Sequence, residues 1–184
     1  APSLVGSEMC IRDSLGDIGT HAFHLACFVS GLTPASVLAD LNSFVDGRQL
    51  DDNVHVLLRF EGGAKGMLWA SQVAPGNENG LRLRIYGDKA GLSWSQENPN
   101  YLMFSPLGEP SRLLGRGGPG LTGAAERVTR IPPGHPEGYL EGFATIYREV
   151  ADAIEAKRNR KDQPDEVIFP DLEDGLQGMR FVDA

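Results

Sequence analysis

The stretch "NVHVLLRFEGGAKGMLWASQVA", residues 53–74, decides the fold class. In "NVHVLLRF" (53–60), Val54, Val56, Leu58 and Phe60 alternate with Asn53, His55 and Arg59, the pattern of a strand with one apolar face. "EGGAKG" (61–66) is too short for a crossover and is built of turn residues. "MLWASQVA" (67–74) must therefore return antiparallel to the first strand.

The same logic extends in both directions. Upstream, "ASVLADLNSFV" (35–45) alternates partially and is joined to the hairpin by the polar segment 45–53. Downstream, "LRLRIYG" (81–87), "LSWSQ" (92–96) and "NYLMFSP" (100–106) are separated by the turns "GNENG" and "DKAG" and a short polar link, which makes them antiparallel neighbours. Helical periodicity flanks the strands. Gly16 to Gly31 carries Ile18, Ala22, Leu25, Ala26 and Val29 at helical spacing, and Gly31 is the expected stop. "GYLEGFATIYREVADAIEAKRNR" (138–160) places Leu140, Phe143, Ile146, Tyr147, Val150, Ala151 and Ile154 on one face, and a last helix begins at Leu172. Between them, Gly108 to Gly134 reads as a Gly/Pro-rich surface excursion; "LLGRGGPGLTG" resembles a phosphate-cradling loop in composition only. The expected class is α+β: an open, predominantly antiparallel sheet with helices on one face.

Bulk composition narrows function. The 184 residues are 41% hydrophobic and 23% charged, with a net charge of −8, so no nucleic-acid or anionic-membrane partner is expected. The longest apolar runs, "AFHLACFV" and "VHVLLRF", are far too short for a helical membrane span. Cys10 and Cys27 provide neither a disulfide framework nor zinc spacing, and no apolar signal region follows Arg12, which together suit the cytoplasm. "LVGSEMCIRDS" (4–14) has no period or capping logic, and over Leu4 to Asp13 it resembles the in-frame translation of a transposon-based sequencing adapter. Residues 1–14 are therefore read as a non-native tail and 15–184 as the natural domain, truncated at its C-terminus, where "DLEDGLQGMRFVDA" stops without a C-cap signal.

The candidate chemistry lies in "GDIGTHAFHL" (16–25). Asp17, His21 and His24 stand at i, i+4 and i+7, one wall of an α-helix, with Gly19 leaving that wall bare. Three readings stay open on spacing alone. A histidine with a carboxylate one turn away can move a proton near neutrality. Two histidines and a carboxylate can ligate zinc or iron and serve a metal-dependent isomerase or hydrolase, although D-x3-H-x2-H is not a standard signature. Alternatively the acid serves the helix dipole and the histidines lie at a packing edge, as in a non-catalytic sugar-binding or oligomerisation module.

"LGDIGTHAFHLACFVSGL" resembles the start of the C-terminal domain of the Gfo/Idh/MocA oxidoreductases, the glucose–fructose oxidoreductase and inositol dehydrogenase group, whose D-x-G-x-H motif is matched by Asp17, Gly19 and His21. "ASQVAPGNENGLRLRIYGDKAGLSW", "HPEGYLEGFATIYREVADAI" and "PDLEDGLQGMRFVDA" resemble later segments of the same domain in the same order. The resemblance implies a preceding Rossmann domain that binds NAD or NADP and carries a catalytic E-K-P lysine. The chain is read as carrying neither a GxGxxG element nor E-K-P, hence as a fragment inactive alone. It further implies hydride transfer from a sugar, polyol or cyclitol hydroxyl, with His21 as general acid/base and Asp17 orienting it. His24, His135 and Gln72 become substrate contacts, with no metal, and the outer sheet face becomes the surface of a homo-oligomer. His55 is read as a solvated or interface histidine, and Trp69 and Trp94 as sheet-packing residues.

Overall fold

The structure, a computed structural model, describes residues 13–184. The adapter-like stretch therefore lies outside the described residues apart from Asp13 and Ser14. The chain divides into two compact units, one containing residues up to Glu78 together with Leu172–Ala184, the other Asn79–Asp171.

In the first unit, β1 (Pro34–Asn42), β2 (Asn53–Phe60) and β3 (Lys65–Ser71) form an antiparallel sheet in the order β1-β2-β3. The alternation in β2 acts as expected: Val54, Val56, Leu58 and Phe60 are buried, while His55, Leu57 and Arg59 are exposed. Two helices cover the apolar face, α1 (Thr20–Ser30) and a C-terminal helix, Leu172–Asp183. Phe23 and Phe181 from these helices join Leu15, Cys27, Leu68 and Ala70 in the core. The hairpin reverses through one 3₁₀ turn, Glu61–Gly63, where Gly62 (φ 77°) and Gly63 (φ 94°) occupy the left-handed region that favours glycine.

The connection from β1 to β2 is organised by Asp52, whose side chain is fully buried. Its carboxylate accepts the Phe44 N–H at 2.9 Å and the Val45 N–H at 3.0 Å, and the Arg48 guanidinium lies 3.3 Å away. Burial pushes this carboxyl up, but the two N–H donors and Arg48 outweigh it and hold it below the ordinary carboxylate range. A lowered folded-state value means stabilisation that is complete above the unfolded value of about 4 and lost as pH falls through the folded one. Urea denaturation followed by circular dichroism is thus expected to find the first unit of Asp52→Asn less stable than the parent at neutral pH, and the difference between the two should shrink as pH falls below about 4.

In the second unit, β4 (Arg82–Tyr86), β5 (Ala90–Ser95), β6 (Tyr101–Pro106) and β7 (Arg112–Gly115) pair antiparallel in the order β4-β5-β6-β7. The expected open, antiparallel α+β architecture is present, and its hydrogen bonding runs in two ladders, one per unit. The Gly/Pro-rich excursion is more structured than its composition suggests. It contains β7 and a short helix, α2 (Gly123–Val128), capped by Thr122 Oγ1 accepting from Ala125 N–H. By its letters "GRGGPG" (Gly115–Gly120) does spell G-x-G-x-x-G, contrary to the reading above. It leaves an antiparallel strand and precedes a six-residue helix, so it lacks the parallel βαβ setting of a dinucleotide turn.

The long helix α3 (Tyr139–Arg158) forms as its periodicity predicts, but its apolar stripe is not packed. Leu140, Phe143, Ile146, Tyr147 and Ile154 are exposed, while Glu149 is buried. Glu149 accepts from Arg127 Nη2 at 2.6 Å and from Ile168 N–H at 3.1 Å, so α3 is tied to its unit through a carboxylate. The C-terminal helix of the first unit is α4 (Leu172–Asp183).

Candidate active site

The segment carrying Asp17, His21 and His24 is not one uniform helix. Leu15–Gly19 forms a π-helical turn, in which the Thr20 N–H reaches back to Leu15 O, and regular α-helix begins at Thr20. Glycine explains the local geometry. A Cβ on Gly16 would lie 2.5 Å from Asp13 Oδ1, and one on Gly19 would lie 3.1 Å from Leu15 Cδ1 and 3.9 Å from Ala70 Cβ. Gly19 is buried, so its missing side chain lets the turn pack against β3 instead of clearing the wall beside Asp17. The turn is tied down by Asp51, which accepts Leu15 N–H on its carboxylate at 3.1 Å and Ser14 N–H on its carbonyl at 3.0 Å. Burial pushes the Asp51 carboxyl up; the Leu15 N–H opposes this, and neighbouring Asp13 adds to it. At the other end, Gly31 (φ 67°) stops α1 as expected, its N–H bonded to Cys27 O at 2.8 Å.

Asp17 is half-buried in the π turn, His21 is exposed on the first turn of α1, and His24 is half-buried one turn further on. Asp17 and His21 stand four residues apart across the π/α junction, and among the described residues no hydrogen bond or ion pair joins them. His21 keeps both ring nitrogens unengaged among those residues. His24 does have a partner that spacing could not reveal: Asp174 on α4, with Nε2 to Oδ1 at 3.7 Å. The ring of His24 also stacks against Phe28 at a centroid distance of 6.2 Å. Among the described residues no three His, Cys, Asp or Glu side chains are gathered closely enough to hold a metal ion, so the metal reading of Asp17, His21 and His24 has no ligand cluster under it.

Gln72 follows β3 directly. Its backbone N–H donates to Asp52 O at 2.8 Å, and its half-buried side-chain amide makes no hydrogen bond among the described residues. His135 belongs to the second unit, exposed on the loop "IPPGHPE". Sequence reasoning missed what holds that loop. Arg116 donates to Asn100 Oδ1 at 2.8 Å, to Ile131 O at 2.7 Å and to His135 O at 2.7 Å. It also pairs at 2.5 Å with Glu137, which is buried and accepts the Arg130 N–H at 3.0 Å. The signal was a lone arginine inside a glycine run, where nothing local requires one. A cavity of about 380 Å³ in this unit is lined by Trp94, Leu102, Leu114, Ala125 and Val128 among others, and His135 does not line it.

The outer face of the first sheet carries the rows Asp40–His55–Trp69, Leu38–Leu57–Met67 and Ser36–Arg59–Lys65. His55 stacks on Trp69, and the indole N–H donates to Asn53 Oδ1 at 2.8 Å. Trp69 is 57% exposed, so it belongs to this open face and not to the core. Among the described residues no helix is long and apolar enough to cross a membrane.

Residues 8–93 match the family model described as the GFO/IDH/MocA C-terminal domain. The chain is 37% identical over 173 residues to the uncharacterized oxidoreductase YfiI of Bacillus subtilis, covering 92% of this chain and 44% of that protein. Its fold matches the crystal structure of an oxidoreductase from Sinorhizobium meliloti with a TM-score of 0.89 at 62% identity, over 93% of this chain and 48% of the other. It also matches an inositol dehydrogenase homolog from Azotobacter vinelandii, complexed with NADH and myo-inositol, with a TM-score of 0.87 at 35% identity, over 92% and 46% of the two chains. The chain thus spans about half the length of the relatives it matches. The D-x-G-x-H segment, the antiparallel sheets and these likenesses agree, and the chain matches the C-terminal domain of the GFO/IDH/MocA oxidoreductases.

Proposed function

We propose that residues 15–184 are the substrate-binding, proton-transferring part of an NAD(P)-dependent oxidoreductase acting on a hydroxyl of a sugar, polyol or cyclitol. The observation that carries this reading is His21: exposed on α1, with neither ring nitrogen engaged by a described residue. Such an imidazole is available to take the proton of an alcohol as its C–H bond is broken. Asp17, four residues away, orients that ring once substrate is bound. His24, Gln72 and His135 hold neighbouring hydroxyls, and the unengaged amide of Gln72 suits either a hydroxyl or the carboxamide of a nicotinamide. The cofactor, when bound, accepts the hydride from the alcohol carbon.

On this reading the cofactor is held mainly by residues outside this chain, and the 184-residue chain has no dehydrogenase activity alone. The enzyme works in the cytoplasm as a homo-oligomer assembled through the outer sheet face, where exposed Leu38, Leu57, Met67 and Trp69 lie side by side. The test is the purified full-length protein, assayed for NADH or NADPH formation with myo-inositol and a panel of other polyols and sugars. Substrate-dependent reduction of either nucleotide supports the proposal. A folded full-length protein that reduces neither with any of them removes it.

A further inference from the structure

α1 and α4 belong to the same unit and meet through two consecutive residues of α1. Phe23 lies flat on Phe181, with ring centroids 4.0 Å apart and planes 3° from parallel, and both rings are buried. His24, the next residue, brings Nε2 to 3.7 Å from Asp174 Oδ1. Asp174 and Phe181 are two helical turns apart, hence on one face of α4, separated by about 10 Å along its axis. The buried ring stack therefore sets where the Asp174 carboxylate falls. Phe28, one turn further along α1, stacks with the His24 ring.

Stability does not account for the pair. The side chains of His24 and Asp174 are 33% and 42% exposed, and ion pairs this open add little to folding. Orientation is the remaining consequence. A neutral imidazole has one N–H donor and one bare acceptor nitrogen, and an ionised carboxylate can only accept. At 3.7 Å the two groups form an ion-pair contact longer than a hydrogen bond, and when it closes the nitrogen facing Asp174 is the one that carries the proton. Nδ1, which makes no hydrogen bond among the described residues, is left as the acceptor. Separations of this size in unliganded sites commonly tighten once substrate is bound.

We propose that Asp174 is a positioning residue that holds His24 in the Nε2–H tautomer, so that Nδ1 accepts a hydrogen bond from a substrate hydroxyl. The proposal rests on the reading of α1 as a substrate wall and deepens it. An acceptor at this position favours an alcohol over a carbonyl, because a carbonyl has no proton to donate. The hydroxyl concerned neighbours the one oxidised, since His24 lies one turn from His21.

The experiment begins with the chain as it is, uniformly labelled with ¹⁵N, above pH 8, where an ordinary imidazole is neutral. Long-range ¹H–¹⁵N correlation spectra report the tautomer of each histidine. His21, which has no partner among the described residues, is the internal reference for an unbiased ring. His24 is expected to show a wider separation of its two ring nitrogens than His21, with Nδ1 shifted toward the unprotonated extreme. Asp174→Ala should make His24 resemble His21, and Asp174→Glu should restore the difference, with the ring signals of Phe23 and Phe181 reporting that α4 stays docked. If the unmodified chain shows His24 and His21 alike, the pairing is overturned without reference to any variant. A His24 spectrum unmoved by Asp174→Ala in a docked α4 overturns it as well. In the full-length enzyme, Asp174→Ala is expected to raise the KM for the polyol about tenfold, the worth of one oriented hydrogen bond, and to leave kcat nearly unchanged. An intact tautomer difference in an enzyme that oxidises no polyol leaves the pairing standing. That result removes the proposed function, and with it the substrate-facing half of this proposal.

Discussion

His21→Ala in the full-length enzyme is expected to lower kcat by roughly 10²–10⁴-fold, the range lost with a positioned general base. The KM for the polyol should change little, because the proton moves only as the transition state is reached. The structure makes this a clean test. His21 is exposed and engages no described residue through its ring, so the alanine variant should stay within about 0.5 kcal/mol of the parent in stability. Initial rates of nucleotide reduction, paired with a melting curve, separate the two effects. A variant that keeps at least half of the parent turnover assigns the proton transfer to another group.

Phe23→Ala is expected to cost about 3–5 kcal/mol of stability in the first unit, the usual loss for truncating a buried aromatic ring. Phe23 is only 2% exposed, stacks on Phe181 and belongs to the cluster built on Val54, Val56 and Leu58. It is also the contact that docks α4 on α1, so its removal should release Asp174 from His24 together with the core. Urea denaturation monitored by circular dichroism measures the first effect, and the His24 ring nitrogens report the second. A loss below about 1 kcal/mol would mean that the core closes around the missing ring.

Much of this architecture was legible in the residues because it is local. The period-two alternation of Val54, Val56, Leu58 and Phe60 names a face before any partner is known, and the short link 61–66 leaves only an antiparallel return. Gly31 stops α1 where a left-handed residue is needed, and the D-x-G-x-H segment is helical as expected, although Asp17 and Gly19 lie in a π turn ahead of α1. Composition was the poorer guide. The Gly/Pro content of 108–134 hid β7, whose four residues are too few to display a period, and the capping of α2 by Thr122. The apolar stripe of α3 was read correctly as a pattern, but periodicity does not state what holds a helix: Glu149, not that stripe, ties it to its unit.

By itself the sequence determined most of the elements, the buried face of β2, and the helix that bears His21 and His24. Periodicity, turns and stops are properties of neighbouring residues, so the chain states them without reference to its fold. Only the tertiary structure decided that Asp174 stands beside His24, that Gly19 serves contact with β3, that Arg116 and Glu137 brace the His135 loop, and that Asp52 closes the β1–β2 connection. Each of these depends on which turn of a helix or which carboxylate reaches a group remote in the chain or outside its own element. The Phe23–Phe181 stack shows why: it joins residues at the two ends of the described chain, and no local pattern encodes that meeting.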